Sequence, residues 1–324
     1  MKQHLLLTVF MLCAASLAHA DVSFYGKANV SHQNTKREIG STANQWELNS
    51  NASRIGVKGA IPINDTNISA IIQVEFEVAI DDGETGSNHS LKQRDIFAGL
   101  TGSWGTVVAG QMNSATKNMS RDIDLFNDLA IGDVKSILSG ENRLKNTIRY
   151  STPSLFNHLS GSIAIVLSEN SSTTQDGSVD GSTTSLHYDS DSVSVGFAHD
   201  QEIKGKNVNR ATAHIEIMNI DIGILIQISE ISKPINNNDE DEEAGVISLS
   251  YHANNKLDFK VQIGHTEIDL FNGHKQLDQI ATGIDYRISK SLIAYGYSAQ
   301  VTSKSSASSI LKDRTTAIGM ALRF

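Results

Sequence analysis

The sequence predicts an all-β protein, a 16-stranded antiparallel transmembrane β-barrel with one constriction loop folded into its lumen. Three observations carry this expectation. Both ends of the predicted mature chain alternate as strands, an export leader stands in front, and short and long connections follow one another along the sequence.

The alternation at the ends is regular. Thr316, Ile318, Met320, Leu322 and Phe324 share one face, and Ala317, Gly319, Ala321 and Arg323 the other. Near the start, Phe24, Ala28 and Val30 alternate with Ser23, Tyr25, Lys27 and Asn29. A side-chain period of two sets one face against something apolar and the other against something polar. Two such terminal strands can pair and close a sheet, which removes its edges.

Residues 1–20 read as a cleaved signal peptide. Lys2 is the positive n-region, Leu5 to Leu17 the apolar h-region, and Ala18-His19-Ala20 the small-x-small cleavage site. The apolar run is too short for a spanning helix, which needs roughly 20 residues. Residues 21–324 then form one domain. The single cysteine, Cys13, lies in the leader, so the exported chain relies on no disulfide. No later segment is apolar for the length of a spanning helix. In a membrane, such a chain must be a closed barrel, because unpaired backbone is too costly in hydrocarbon.

Interior segments repeat the pattern. In Asn67 to Val78, Ile68, Ala70, Ile72, Val74, Phe76 and Val78 oppose Asn67, Ser69, Gln73, Glu75 and Glu77. Ile220 to Ile228 has isoleucine at every even position, and similar alternation covers 257–263 and 279–287. A soluble β-sandwich alternates too, so the connections discriminate. Gly102-Ser103, Met218-Asn219 and Asn254-Asn255 are short. Gln33 to Ser50, Asp81 to Ser90, Asn113 to Asn142, Glu169 to Gly181, Ser232 to Gly245, Glu267 to Lys275 and Thr302 to Lys312 are long and polar. Outer-membrane barrels join strands in this way. About 16 segments lie between the connections, and a barrel of 16 to 18 strands leaves an aqueous lumen. Pro62, Pro153 and Pro234 all fall in connections, as ladder donors require. Interfacial aromatic girdles would rest on Phe24, Phe76, Phe97, Tyr150, Phe197, Tyr251, Phe259, Tyr286 and Phe324.

The connection from Asn113 to Asn142 is an outlier in length, and loops of this kind are usually functional. Leu125, Phe126, Leu129, Ile131, Val134, Ile137 and Leu138 could pack on a wall, presenting Asp122, Asp124, Asp128, Asp133 and Glu141. Parity turns basic residues to the same interior. Lys27 opposes Phe24 and Val30, Arg54 shares parity with Lys58, Arg94 opposes Phe97, and Arg143, Lys145, Thr147 and Arg149 share a face. Bases facing loop acids across a narrow opening would set up a transverse field, focused by low-dielectric walls.

These residues also carry a family resemblance. Phe24-Tyr25-Gly26-Lys27-Ala28, Leu48-Asn49-Ser50-Asn51-Ala52-Ser53-Arg54-Ile55-Gly56-Val57-Lys58-Gly59, Gln73-Val74-Glu75-Phe76-Glu77, Lys92-Gln93-Arg94 and Gly105 to Gln111 follow in order. With Asp124-Leu125-Phe126-Asn127-Asp128 and Gly140-Glu141-Asn142-Arg143 they resemble Gram-negative general diffusion porins. The resemblance implies an outer-membrane homotrimer passing ions and small hydrophilic solutes, with lipid and lipopolysaccharide around it. Its third external loop would enter the lumen. Carried over by motif, the basic side of the eyelet is Lys27, Arg54, Arg94 and Arg143. The enterobacterial loop motif is absent, so Asp122, Asp124, Asp128 and Glu141 are expected as a group. Phe324 matches the C-terminal signal read by the barrel assembly machinery, and Asp81 to Ser90 the loop reaching a neighbouring subunit.

The chain has 27 basic and 36 acidic residues, a net charge of -9. That excludes a nucleic-acid partner, which needs a basic footprint, and leads to an expectation of mild cation preference. The run Asp239 to Glu243 reads as an external loop, alternatively a divalent-cation site near lipopolysaccharide. The histidines show no metal spacing, and no nucleophile motif is present, so neither cofactor nor enzymatic activity is expected. A substrate-specific porin, a lipase-like barrel enzyme and a secreted β-sandwich binding module are the rival readings.

Overall fold

The computed structural model describes residues 21–39, 43–83, 91–168, 179–232, 240–306 and 308–324. The signal-peptide reading, Pro234 and most of the 81–90 connection lie outside them. Among the described residues, seventeen strands run in chain order. The first eight are β1 (Asp21–Arg37), β2 (Ala43–Ser50), β3 (Arg54–Pro62), β4 (Ser69–Val78), β5 (Leu91–Gly102), β6 (Gly105–Asn113), β7 (Arg143–Ser151) and β8 (Leu159–Leu167). Then follow β9 (Val179–Asp189), β10 (Val193–Ile203), β11 (Lys206–Ile217), β12 (Ile220–Ile231), β13 (Glu240–Asn254), β14 (Leu257–Leu270), β15 (Gly273–Arg287), β16 (Leu292–Ser305) and β17 (Ser308–Arg323). Between β6 and β7 lie a short helix, α1 (Ala115–Met119), and a 3-10 turn at Val134–Ser136.

Seventeen segments make 16 staves. The pairing of β1 with β2 runs from Val30–Ser50 upward, and its pairing with β3 from Lys27–Arg54 downward. β2 and β3 are therefore one barrel strand, broken at Asn51–Ser53. Ala52 takes φ 48° there. The buried side chains of the break bond to β1, with Asn29 N donating to Ser53 Oγ at 2.9 Å and Asn51 Nδ2 donating to Ser31 Oγ at 2.9 Å. β1 also pairs with β17, from Lys27–Arg323 to Lys36–Arg314. Gly26 N donates to Phe324 O at 2.9 Å, and Phe324 N to Gly26 O at 3.2 Å. Every edge is closed, as a barrel in hydrocarbon requires.

The two faces separate as the alternation foretold. On β12, Ile224, Ile226 and Ile228 are exposed on the outside, while Leu225, Gln227 and Ser229 are buried inside. Phe24, Phe197, Tyr251, Phe259, Tyr286 and Phe324 are exposed on the outer surface. Phe97 is not a girdle residue, because it lines the lumen. The ladder between β4 and β5 shifts between Val74 and Phe76, so Arg94 and Asp95 both sit opposite Glu75. A bulge adds one residue and flips parity beyond it, which turns both Arg94 and Phe97 inward. A second shift separates Gly110 from Met112 on β6, with Asn146 opposite at φ 52°. Arg143 and Arg149 line the lumen, but Lys145 is exposed and does not share their surroundings.

Several connections are shorter than the polar composition implied, because the strands run on into those polar segments. β14 and β15 are joined by Phe271-Asn272 alone. The acidic run lies mainly in β13, not in a loop. Asp241 and Glu243 face outward, and Glu242 is buried inside.

The hydrophobic core is not in the sheet but between the 113–142 loop and the inner wall. Ile123, Phe126, Leu129, Ile131, Val134, Ile137 and Leu138 pack against Leu225, Val246, Ile268, Leu277, Ala281, Tyr297, Ala299 and Val301. Glycines in the wall make room. A Cβ on Gly264 would collide with Ile137 Cδ1, and one on Gly283 would sit 2.8 Å from Phe126 Cε1. Fully burying one such side chain stabilises by roughly 1.5–3 kcal/mol, so docking inside the bore is the loop's favourable state.

Candidate channel constriction

Polar anchors fix the loop along β9 to β16. Arg210 on β11 is fully buried. Its Nη1 donates to Glu141 Oε1 at 2.5 Å and Thr116 O at 2.8 Å, its Nη2 to Ser139 O at 2.9 Å, and its Nε to Gln227 Oε1 at 2.8 Å. Glu242 accepts from Ser139 N at 3.2 Å, and Asp200 from Thr116 Oγ1 at 2.6 Å. Thr266 donates to Ile137 O at 2.9 Å, Gln279 Nε2 to Ile131 O at 2.7 Å, and Lys260 Nζ to Leu125 O at 3.1 Å. These donors satisfy carbonyls of an irregular buried backbone that would otherwise be costly.

The loop thus covers one side of the bore and leaves a cavity of about 1280 Å³ against β1–β7. Asp128 stands at its edge. Its φ is 71°, a left-handed conformation that Asp tolerates better than most residues. Asp133 Oδ2 accepts from Asp128 N at 2.9 Å and so holds that turn. Across the gap, Lys27 Nζ lies 3.1 Å and Arg54 Nη1 3.2 Å from Asp128 Oδ2. Burial pushes the Asp128 carboxyl up, but Lys27, Arg54 and Arg94 together outweigh it and hold the group below the usual carboxylate range.

The wall supplies acids of its own. Arg94 Nε is 2.6 Å from Glu75 Oε1, and its Nη1 is 3.0 Å from Glu77 Oε2. Arg143 Nε is 2.6 Å from Asp95 Oδ1. Tyr25 donates to Glu75 Oε2 at 3.0 Å. The bases expected from sequence, Lys27, Arg54, Arg94 and Arg143, therefore form a chain interleaved with Glu75, Glu77 and Asp95. Those wall acids were missed as site residues, although the alternation of 67–78 places Glu75 and Glu77 on the polar face.

The four loop acids expected as a group part company. Asp128 meets the basic wall. Glu141 lines the cavity but is tied to Arg210, with Lys117 Nζ at 3.9 Å. Asp124 is buried inside the loop, accepting from Phe126 N and Val134 N, each at 3.2 Å. Burial and the neighbouring Asp133 raise its carboxyl well above the ordinary range. Asp122 is exposed and stands apart from the cavity lining. An irregular loop has no parity, so its wall contacts decide which acids face the opening.

Comparison with known proteins agrees with this architecture. A family model described as Gram-negative porin matches residues 7–306. The major outer membrane protein P.IB of Neisseria sicca is 33% identical over 167 residues, covering 47% of this chain and 44% of that protein. The chain thus spans about half the length of this relative and of two further Neisseria relatives. Another P.IB, from Neisseria meningitidis serogroup B, aligns over 332 residues at 24% identity, covering 90% of each chain. Among solved structures, the anion-selective porin from Comamonas acidovorans superposes with a TM-score of 0.79 at 18% identity, over 94% of this chain and 100% of that one. At that identity the likeness shows the fold. With a closed 16-stranded wall, an in-folded third loop and a family match over most of its length, the chain belongs to the Gram-negative porin family and is an outer-membrane protein.

Proposed function

We propose that the chain forms a water-filled channel through which ions and small hydrophilic solutes diffuse passively. The observation that carries this reading is the charged cavity left between the docked loop and the β1–β7 wall. Its size limits solutes, and the bases Lys27, Arg54, Arg94 and Arg143 facing Asp128 orient their dipoles. Asp122 and Asp124 have no direct contact with solute in this reading, and Glu141, though it lines the cavity, is held by Arg210.

Whole-chain charge led to the expectation of mild cation preference, but a permeant ion meets the lining. Among the described residues, twelve basic and seven acidic side chains line the cavity. Many remaining acids face outward, such as Asp241, Glu243, Glu267 and Asp269. The lining supports modest anion preference. The test is reversal potential across a planar bilayer under a tenfold KCl gradient. A potential of the sign expected for chloride supports the reading, and clear potassium preference overturns it.

Association follows the same logic. The apolar outer face supports a lipid-embedded homotrimer, checked by conductance steps in threes. Phe324, paired to β1 through its backbone, remains the proposed signal for the barrel assembly machinery. The outward cross-strand pairs Asp241–Asp269 and Glu243–Glu267 lie beyond Ile247 and Ile263 on the same faces. Like charges opposite one another repel, which supports divalent cations bridging them to lipopolysaccharide.

A further inference from the structure

A second cluster lies at the short-turn end of the barrel, away from the constriction. β11 and β12 meet there through Met218-Asn219. Glu216 pairs directly with Asp221, and His214 with Gly223. Further along the same two strands Arg210 pairs with Gln227, and both are buried inside the barrel. By the period of two, His214, Glu216 and Asp221 share that lumen face. One ligand atom from each of the three lies within 4.8 Å of the others.

Two features set this cluster apart from ordinary surface charge. Carboxylates directly opposite on paired strands repel, yet among the described residues no lysine or arginine pairs with Glu216 or Asp221, and the ion pair of Asp221 is with His252. Moreover, Asp221 is held from outside the cluster. His252 Nε2 is 2.8 Å from Asp221 Oδ2, and His252 Nδ1 is 2.6 Å from Asp258 Oδ1. Asp258 Oδ2 is in turn 2.5 Å from Arg287 Nη2. A carboxylate–imidazole–carboxylate chain of this kind is how proteins orient a metal ligand from behind. It engages Oδ2 of Asp221, and a carboxylate has a second oxygen with which to meet an ion.

We propose that His214, Glu216 and Asp221 bind a divalent first-row metal ion, best matched to Zn²⁺, in the vestibule at the short-turn end. One imidazole and two carboxylates are ligands of Zn²⁺ at about 2.0–2.2 Å, and three protein ligands leave a fourth position open to water or solute. Imidazole with carboxylate favours Zn²⁺ over Mg²⁺ or Ca²⁺. Rotamer adjustment of three partly exposed side chains closes the set around the ion. His252 is a positioning residue, and Asp258 fixes its ring.

The test uses the full chain folded in detergent and ZnCl₂ alone, measured by titration calorimetry, and it is independent of any transport reading. One Zn²⁺ per chain is expected. His214→Ala and Glu216→Gln should each weaken binding by at least about tenfold, and His252→Gln by about 10–100-fold, the range for partners that orient ligands. Absence of saturable binding, or equal affinity in His214→Ala, overturns the assignment. Should a variant fail to fold, Co²⁺ bound to the unaltered protein gives a second readout. Strong visible bands that Zn²⁺ removes support the site, and a spectrum matching hydrated Co²⁺ rejects it.

Discussion

Replacing Arg210 by Met should loosen the constriction without breaking the barrel. Arg210 is fully buried, and its guanidinium bonds Glu141, two loop carbonyls and Gln227. The substitution strands the Glu141 carboxylate, whose side chain is 6% exposed, and leaves the Thr116 and Ser139 carbonyls short of a donor. Breaking a buried pair by removing one partner costs about 3–5 kcal/mol. Lys117, 3.9 Å from Glu141, offsets part of this, so about 3 kcal/mol is expected. That is a factor of roughly 100 in the docked-to-undocked ratio, at 1.4 kcal/mol per tenfold. The apolar face of the loop still holds it in the bore, so undocking should appear as brief excursions to higher conductance. The assay is single-channel recording in planar bilayers, with limited proteolysis of the loop in parallel. Adding Glu141→Gln should restore much of the loss, because no charge is then stranded. A variant with wild-type noise, conductance and protease resistance would refute the reasoning.

Three further outcomes concern the loop acids. Asp128→Asn removes the partner of Lys27 and Arg54, so the reversal potential should move further toward chloride; movement toward potassium would contradict the eyelet geometry. Because the Asp128 carboxyl is depressed, its contribution to loop docking is fully present above the ordinary carboxylate value of about 3.9 and is lost only as pH falls below it. Selectivity should therefore stay flat between pH 7 and 5. Asp124 behaves oppositely, since burial and Asp133 raise its carboxyl and ionisation at neutral pH works against folding. Asp124→Asn should leave the thermal midpoint unchanged or higher at pH 7, and the advantage should shrink as pH falls and the native carboxyl takes up its proton. A marked drop in the midpoint at pH 7 would show that the charge is needed.

The wall was legible in the sequence because a strand's faces are set locally. Ile224, Ile226 and Ile228 face outward because side chains alternate along any strand, whatever it pairs with. Lys27 and Arg54 could be assigned to the lumen on the same ground. Parity failed where the ladder inserts a residue. Phe97 turned inward and Lys145 left its neighbours because bulges depend on the partner strand, which the local pattern does not contain.

By itself, the chain's alternation determined a closed, wet-centred barrel, and the length and apolar content of residues 113–142 determined that something fills it. Only the tertiary structure decided which acids face the opening. The Glu141 carboxylate is claimed by Arg210, 69 residues away, and Asp124 by its own loop, leaving Asp128 to meet the bases. The same holds for His214, Glu216 and Asp221, whose spacing resembles no linear metal motif, yet whose register across one hairpin brings them together. Sequence period fixes the direction of a side chain along a strand, but the charge it meets comes from distant segments, and only closure of the sheet brings those together.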